Sequence, residues 1–370
     1  MQVDRVEVQV VGPEVQRYTW SHDLPEQYMT NTIVRVHTND GAEGFGAVTN
    51  YTSYDFDKYT AETLKHLIPI LIGRNPLKRQ QIWDDLWPRV FPIAPSALAV
   101  IDIALWDLAA KISNIPLYQM LGGARDRIPS YASTPMLPNI DAYLKFVEHR
   151  IDEGFRAVKF HQWCVPDKDL ELAKAIREAY PKDDIVFMLD AENNYQLEDA
   201  IAVAKELQDL GFNWFEAPLP DYDLEGYKSI QSSAKIPIIP SGNWFQDLAS
   251  FTRAVKSSAW SAARADVTIL GGITPLSKAM DIAINSDMNL EVLGWGHSLV
   301  SAANLHVMLA FNNCTYYEQP TPYKAYEYGM LDVIRTQSDG HVYAPKGPGL
   351  GLEVDWKAME SSTIYKATYA

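Results

Sequence analysis

Residues 187–192 read FMLDAE, an apolar run that ends in the carboxylate of Asp190. The pattern recurs in NWFEAPL, which supplies Glu216, and in IPIIPSGN, which supplies Asn243. These three positions are 26 and 27 residues apart, about the length of one strand and the helix that returns the chain. Repeating units of this length build a parallel barrel, whose active site lies at the carboxyl ends of its strands.

The side chains at these three strand ends share one chemical property, an oxygen donor. Two carboxylates and one amide, Asp190, Glu216 and Asn243, would converge at the mouth of such a barrel. Oxygen donors of this kind hold a hard cation such as Mg²⁺. The pattern therefore predicts a metal-dependent enzyme.

The rest of the chain supports a barrel over an open sheet. From about residue 128, short β-rich runs alternate with helical stretches. The runs are IPSYAST, RAVKF, IVFMLDA, NWFEAPL, IPIIPSG, ADVTIL, LEVLGW and CTYYEQ. The helical stretches include DAYLKFVEHRIDEG, KDLELAKAIREAY, LEDAIAVAKELQDLG and PLSKAMDIAINSD. Eight runs with helices between most of them predict an α/β fold with a β/α barrel.

The segment before the barrel does not show this alternation of strands and helices. VDRVEVQVVG predicts a strand, and TIVRVHTNDGAEGFG predicts two strands joined by an Asn-Asp-Gly turn. SALAVIDIALWDLAAKI predicts a helix, because Leu98, Ile101, Leu105 and Leu108 share one face. The C-terminal tail also lacks this alternation, so we expect it to pack outside the barrel.

Composition excludes several classes of partner. The 370 residues carry a net charge of −15, which argues against nucleic acid and anionic membrane as partners. No apolar run reaches the length of a membrane span. Cys164 and Cys314 are the only cysteines and form no ligand motif, which favours a reducing compartment. We therefore expect a cytoplasmic protein with a small-molecule substrate.

Strand alternation places further polar groups at the barrel mouth. In AVKFHQ, Lys159 and His161 lie on one face and Phe160 on the other. If Phe160 faces the outer helices, Lys159 and His161 face the barrel axis. Glu192 shares its face with Asp190 by the same rule. A solvated strand end is the alternative interpretation of the Lys159 and His161 pair.

Two later runs supply a carboxylate and an imidazole. Asp266 opens ADVTIL, and His297 follows LEVLGWG. A carboxylate bonded to one ring nitrogen fixes the tautomer of the imidazole and raises its basicity. Taken singly, each residue has an ordinary structural interpretation. Asp266 can cap a turn and His297 can lie on a loop. Glu318 in YYEQP can be a carboxylate at the rim of the barrel. Together with the residues above, they predict an acid–base site.

The chain resembles the enolase superfamily, in its mandelate racemase-like branch of acid-sugar dehydratases and racemases. The resemblance follows the chain in order and covers nearly all of it. It is carried by AVIDIALWDLAAKISNIPLYQMLGG, AVKFH, MLDAENNY, FEAPL, ADVTILGGITP, GHSLVSAANLH, YYEQP and GPGLGLEVD.

The resemblance implies a modified (β/α)7β barrel in residues 126–325. It also implies an α+β capping domain, formed by residues 1–125 and completed by residues 326–370. Loops at residues 14–31 and 50–58 would cover the site and select the substrate.

The resemblance also implies a role for each candidate residue. Asp190, Glu216 and Asn243 match the Mg²⁺ ligands. Lys159 matches a group that contacts the substrate carboxylate, and His161 stands where many relatives carry a second Lys as a base. The remaining matches are the proton-transfer dyad, Asp266 and His297, and an acid near the substrate carboxylate, Glu318.

Three positions depart from the family pattern. Asn243 replaces a Glu, so the third ligand is neutral. His161 replaces a Lys. Glu192 replaces an Asn and adds an acid that can contact the metal or the substrate.

These features predict dehydration of a sugar acid to a 2-keto-3-deoxy acid. The α-proton would leave first, with the enolate stabilised by Mg²⁺ and Lys159, and the 3-hydroxyl would then leave with a proton from His297 or His161. Racemisation, epimerisation or cycloisomerisation through the same enolate is the alternative. A non-catalytic acid-sugar-binding protein is a third interpretation. Relatives of this kind are often assemblies, which implies a homo-oligomer.

Overall fold

The computed structural model describes residues 1–22, 26, 28–52, 58–90, 94–181 and 185–370. Within these ranges, no helix is both long enough and apolar enough to span a membrane.

The first layer is a four-stranded antiparallel sheet built from both ends of the chain. Its strands, in the order β13-β1-β2-β3, are β1 (Val3–Val11), β2 (Tyr28–Thr38), β3 (Glu43–Thr52) and β13 (Thr363–Tyr369). The alternating side chains of Val6, Val8 and Val10 are buried, as expected for a sheet with one face on the core. The C-terminal strand pairs directly with the N-terminal one, for example Val8 with Ala367.

Four helices follow the third strand. They are α1 (Tyr59–Leu71), α2 (Arg79–Val90), α3 (Pro95–Ile112) and α4 (Leu117–Met120). The predicted apolar face of α3 is fully buried. Two glycines let β3 lie directly on α3, since a Cβ at Gly46 would lie 2.4 Å from the Val100 carbonyl oxygen and 2.7 Å from the Ala104 nitrogen.

The second layer is the barrel. Its strands are β4 (Arg127–Ser133), β5 (Ala157–His161), β6 (Val186–Asp190), β7 (Phe215–Glu216), β8 (Ile238–Ile239), β9 (Ala262–Ala265), β10 (Asn289–Val292) and β11 (Tyr317–Pro320). The helices among them are α5 (Ile140–Asp152), α6 (Pro166–Ala179), α7 (Leu197–Asp209), α8 (Leu224–Ser233), α9 (Leu248–Lys256), α10 (Val267–Leu270), α11 (Ile273–Ile284) and α12 (Ser298–Ala310).

The barrel strands follow one another around a ring. Strands β4 to β8 pair in parallel in sequence order, and β11 pairs in parallel with β4. Strand β8 is joined to β9 where the Ser261 N–H donates to the Ile238 carbonyl at 2.9 Å. Strand β9 pairs with β10, and the end of β10 touches β11 at Gly294, where a Cβ would lie 2.0 Å from the Glu318 carbonyl oxygen. The predicted fold, a (β/α)7β barrel with an α+β cap, is confirmed.

Besides a short 3-10 helix at Tyr323–Ala325, two short elements remain in the described chain. They are β12 (His341–Tyr343), which pairs antiparallel with β4, and α13 (Trp356–Ser361).

One predicted strand is wrong. ADVTIL does not extend a β-run, because β9 ends at Ala265 and Val267–Leu270 is a helical turn. The Asp266 carboxylate accepts the Ile269 N–H at 2.7 Å and caps this turn. Gly271, with a φ of 88°, ends it in the left-handed conformation.

The predicted loops are shorter than expected. Residues 28–31 and 50–52 are strand, because Tyr28 pairs with Thr52 and Asn31 with Thr49. The parts of these loops at 23–25, 27 and 53–57 lie outside the described residues.

The contact between β3 and α3 gives a stability prediction. We expect Gly46→Ala to lower the free energy of unfolding by about 3 kcal/mol, because its new methyl group meets helix backbone that cannot move aside. Gly41→Ala is the matched control. It has open space around the added methyl group, and its left-handed conformation costs only about 1 kcal/mol. Urea denaturation of both variants measures the difference, and equal losses would contradict the close packing.

Candidate active site

The carboxyl ends of the barrel strands surround a pocket of about 230 Å³. Six of the nine candidate residues line it, and a seventh, Glu318, contacts the lining residues Lys159 and Trp295. The pocket is lined by Trp20, Lys159, His161, Asp190, Glu192, Glu216, Ser241, Asn243, Leu293 and Trp295.

Lys159 lies at the base of this pocket, enclosed by three carboxylates. Its ammonium nitrogen is 2.9 Å from an oxygen of each of Asp190, Glu216 and Glu318. The lysine side chain is 1% exposed, so it can remain charged only because it is paired. Burial alone would lower the pKa of Lys159, but the carboxylates outweigh burial and raise it well above its ordinary value.

Arg264 is a second buried cation, and sequence reasoning missed it. Its guanidinium is 3.0 Å from Glu216 Oε1 and 3.1 Å from Glu318 Oε2. It lies two positions before Asp266, and strand alternation would have placed both on one face. The signal was lost because the run was taken to be ADVTIL, which begins at Ala265, whereas β9 covers Ala262–Ala265.

Indole N–H groups fix the two glutamates further. Trp214 donates to Glu216 Oε2 at 3.1 Å, and Trp295 donates to Glu318 Oε1 at 2.7 Å. Burial opposes ionisation of Glu318, but Lys159 and Arg264 lower its pKa to about 2. Glu318 is therefore a fixed, ionised partner of both cations.

His161 is held at the edge of the same cluster. Its Nδ1 is hydrogen bonded to the Thr134 carbonyl, which makes Nδ1 the protonated nitrogen and directs Nε2 toward carboxylates. Nε2 is 3.1 Å from Asp190 Oδ2 and 3.2 Å from Glu192 Oε1. Burial would lower the pKa of His161, but Asp190 and then Glu192 outweigh it and raise the pKa to about 9.

Asp190 and Glu192 leave β6 in a tight turn. The Glu192 N–H donates to Asp190 Oδ1 at 3.0 Å, and Glu192 and Asn193 have φ values of 48° and 63°. This turn directs the Glu192 carboxylate toward the pocket. His161, Asp190 and Glu192 offer one ligand atom each within 4.8 Å of one another, a grouping that can hold a metal ion.

Asn243 lies at the open side of the pocket. Its side chain is exposed, whereas the chain just before it is fixed by buried Asp221. That carboxylate accepts N–H bonds from Ser241 at 2.7 Å and from Gly242 at 2.9 Å. The loop is therefore held in place, and it presents the Asn243 amide to the pocket.

Asp266 and His297 lie deeper and do not line the pocket. In the described part of the chain, the His297 ring forms hydrogen bonds with backbone groups: Nε2 donates to the Tyr328 carbonyl at 2.8 Å, and Nδ1 accepts the Leu299 N–H at 3.4 Å. Burial lowers the pKa of His297 to about 4 and raises that of Asp266 to about 6. Among these described contacts the two side chains do not meet, so the dyad stays a prediction.

The charge of the cluster fits a divalent cation. Three carboxylates, those of Asp190, Glu216 and Glu318, face the permanent cations Lys159 and Arg264, and a fourth, that of Glu192, faces the His161 imidazole. Burial raises the pKa of Glu216 to about 8, and the nearby carboxylate of Asp190 adds to this rise, against the lowering effect of Arg264 and Lys159. Carboxylate and amide oxygens at the pocket surface match the ligand chemistry of Mg²⁺.

Comparisons with known proteins agree with this geometry. Residues 6–122 match the family model described as mandelate racemase/muconate lactonizing enzyme, N-terminal domain, and residues 142–358 match the enolase C-terminal domain-like model. A D-galactonate dehydratase family member from Enterococcus gallinarum is 26% identical, over 88% of each chain. A 3,6-anhydro-alpha-L-galactonate cycloisomerase from Streptomyces coelicolor is 29% identical, over 88% of this chain and 89% of the relative.

Solved structures show the same likeness. One from Pseudovibrio sp., described as a mandelate racemase/muconate lactonizing enzyme, is 39% identical with a TM-score of 0.97, and the match covers 100% of this chain and 99% of the other. D-glucarate dehydratase from Agrobacterium tumefaciens, complexed with magnesium, is 28% identical with a TM-score of 0.85, over 99% and 100% of the two chains.

The depressed pKa of His297 gives a pH prediction. The folded protein keeps this ring neutral down to about pH 4, whereas an unfolded His binds a proton near pH 6.5. Stability from this residue is therefore present above pH 6.5 and is lost as the pH falls toward 4, by about 3 kcal/mol in total.

We expect His297→Asn to lose less stability than the wild type between pH 7 and pH 4.5. Urea denaturation at both pH values measures this difference. His149→Asn, at an exposed helix position, is the control and should keep the wild-type slope. An unchanged slope for His297→Asn would mean that His297 titrates normally and is open to solvent.

Proposed function

Because the chain belongs to the mandelate racemase/muconate lactonizing enzyme family, we propose that it is a Mg²⁺-dependent sugar-acid dehydratase. It removes the proton α to the substrate carboxylate and eliminates the 3-hydroxyl, giving a 2-keto-3-deoxy acid. The observation that carries this proposal is the buried lysine among carboxylates at the base of a pocket. The names of relatives, including D-galactonate, arabinonate and L-talarate/galactarate dehydratases, support it.

The metal would be held by Asp190 and Glu216, with the Asn243 amide as a neutral third ligand. When bound, Mg²⁺ supplies electrostatic stabilisation of the negative charge that develops on the substrate carboxylate. The magnesium complex of the D-glucarate dehydratase relative supports this choice of ion.

Lys159 orients the substrate carboxylate and offsets its charge. An α-proton is weakly acidic, so a fixed cation beside the carboxylate lowers the barrier to its removal. Glu318 and Arg264 keep the ammonium and its surroundings in place before the substrate arrives, which avoids reorganisation during the reaction.

His161 is the favoured proton-transfer group, because its ring lines the pocket and its tautomer directs Nε2 inward. A protonated Nε2 can deliver a proton to the departing hydroxyl. Glu192, whose Oε1 lies 3.2 Å from Nε2, stabilises the protonated ring. The Asp266–His297 dyad would accept the α-proton from the opposite substrate face, if His297 turned away from the Tyr328 carbonyl.

Cycloisomerisation is the second candidate. One observation favours it: two cycloisomerases match nearly the whole chain at 25% and 29% identity, as closely as the dehydratases do. It shares the first proton removal and differs in which group leaves. The expected homo-oligomeric assembly and cytoplasmic location stay predictions.

Deuterium exchange tests the proposed first step. In D₂O with Mg²⁺, we expect a panel of acid sugars to include one that loses its α-proton and forms a keto acid. Lys159→Met should reduce both signals at least 1,000-fold, since it removes the fixed cation. His161→Asn should reduce keto-acid formation more than exchange.

Lys228→Met, at an exposed helix position, is the control and should leave both rates unchanged. Full activity of a folded Lys159→Met protein would refute the proposal. If His297→Asn abolishes exchange, the buried dyad is the base. If His161→Asn lowers neither exchange nor keto-acid formation, His161 is only a substrate contact.

Metal titration tests the ligands separately from turnover. We expect Asp190→Asn to weaken Mg²⁺ binding at least 100-fold in calorimetry, because a charged ligand is lost, and Asn243→Leu to weaken it about tenfold. Asn285→Leu, distant from the pocket, is the matched control for the amide. If Asn243→Leu binds Mg²⁺ normally, Asn243 is not a ligand, and the His161–Asp190–Glu192 group is the better assignment.

A further inference from the structure

Three carbon-rich side chains form one side of the pocket. Trp20, Leu293 and Trp295 all line it, and each is half-buried, so part of each side chain is exposed. We call these three residues the apolar wall. Nothing in the proposed proton transfer uses them.

At Trp295, the apolar wall presents carbon atoms to the pocket, because the indole N–H of this residue is directed away from the pocket. Its indole N–H donates to Glu318 Oε1 at 2.7 Å and to Ser133 Oγ at 3.2 Å. A Trp side chain has no other hydrogen-bonding group. What Trp295 offers a ligand is therefore its ring surface.

The wall is also rigid. Trp20 packs edge-on against Trp295 with ring centroids 4.8 Å apart, and Tyr326 packs edge-on against Trp295 at 5.4 Å. His161 meets Trp295 in the same way at 5.7 Å. A ring held on several sides does not turn to offer its N–H to a ligand.

The polar groups lie on other strands. Leu293 and Trp295 follow β10, the seventh barrel strand, whereas Asp190 and Glu192 follow β6, the third. In a ring of eight strands, the third and the seventh face each other across the axis. Among the described lining residues, the pocket therefore has one polar side and one apolar side.

A substrate must match both sides. A hydroxyl that faces Leu293 or the Trp295 ring loses its water and finds no partner there, at a cost of about 1–3 kcal/mol. Every sugar acid carries a hydroxyl on almost every carbon. An open chain turns these hydroxyls to all sides and meets this cost in most poses, whereas a ring with equatorial hydroxyls keeps them at its rim. The C–H face of a ring gains from contact with an indole, both by burial and by the ring quadrupole.

We propose that the substrate is a cyclic acid, one of whose ring faces is made of C–H groups and packs on Trp20, Leu293 and Trp295. Its carboxylate and its ring hydroxyls face Lys159 and the polar side. This assignment rests on the proposed function for the direction of the carboxylate. It favours cycloisomerisation, the second candidate, because the group that leaves after α-proton removal would then be a ring oxygen rather than a free 3-hydroxyl.

Two six-carbon sugar acids of the same charge test the proposal. Methyl β-D-glucopyranosiduronate has a locked ring, and D-gluconate has an open chain. Calorimetry with Mg²⁺ should give a dissociation constant at least tenfold lower for the ring acid. Equal binding, or tighter binding of D-gluconate, would overturn the proposal.

Variants decide whether the wall is the cause. Trp20→Ala and Leu293→Asn should bring the ratio of the two dissociation constants toward one. Trp244→Ala is the matched control, because Trp244 is 53% exposed and does not line the pocket. It should keep the wild-type ratio. If the ratio of the two dissociation constants is unchanged in both wall variants, the proposal is overturned. This holds even if the wild type prefers the ring acid.

Exchange in D₂O separates this inference from the proposed function. If the open-chain acid exchanges its α-proton and the ring acid does not bind more tightly, the proposal of a cyclic substrate is overturned. The assignment of the protein as an enzyme is then unaffected. A ring preference that the wall variants abolish would support the cyclic substrate. The same preference without α-proton exchange on any acid of the panel would count against the proposed reaction alone.

Discussion

The ammonium group of Lys159 sets the constraint on which the site depends. Three carboxylates converge on it at 2.9 Å from three different strands. Taking such charges out of water costs several kcal/mol per ion, and the cost is recovered only when each charge is well paired. The barrel end must therefore hold Asp190, Glu216 and Glu318 in one fixed geometry, and the surrounding indole donors and Arg264 serve this requirement.

Stability alone does not explain such a cluster. Well-packed hydrophobic residues of similar volume would serve a barrel interior as well or better. The cluster instead provides a dry, pre-formed field beside an open pocket, where a developing negative charge is stabilised without reorganisation. The cost is met by the packing elsewhere, in the apolar interior of the barrel and in the close contact between β3 and α3.

The sequence predicted those parts of the molecule that depend on short-range pattern. Apolar runs ending in Asp190 and Glu216 gave the strand ends, and alternation placed Lys159 and His161 on one face, as the pocket shows. Arg264 was missed because it lies inside the run AARA, whose short apolar residues give a weak strand signal. The helical turn after Asp266 was missed because VTIL consists mostly of residues that favour strands.

Tertiary contacts decided what local pattern could not. His297 follows a strand end as expected, but its ring bonds to the Tyr328 carbonyl, which belongs to the C-terminal segment. Its backbone N–H also donates to Thr49 Oγ1 of the capping sheet at 3.0 Å. Contacts between segments so far apart along the chain cannot be predicted from the local pattern of apolar and polar residues. The apolar wall is similar, since it joins Trp20 near the N-terminus to Trp295.

Anomalous diffraction from crystals soaked in Mn²⁺, a substitute for Mg²⁺, tests the central claim that this carboxylate cluster is a metal site. The account predicts a single strong peak in the pocket, about 2.1–2.3 Å from oxygens of both Asp190 and Glu216, with Lys159 moved off at least one of them. A fully ordered pocket without a peak, or a peak that avoids both carboxylates, would contradict it.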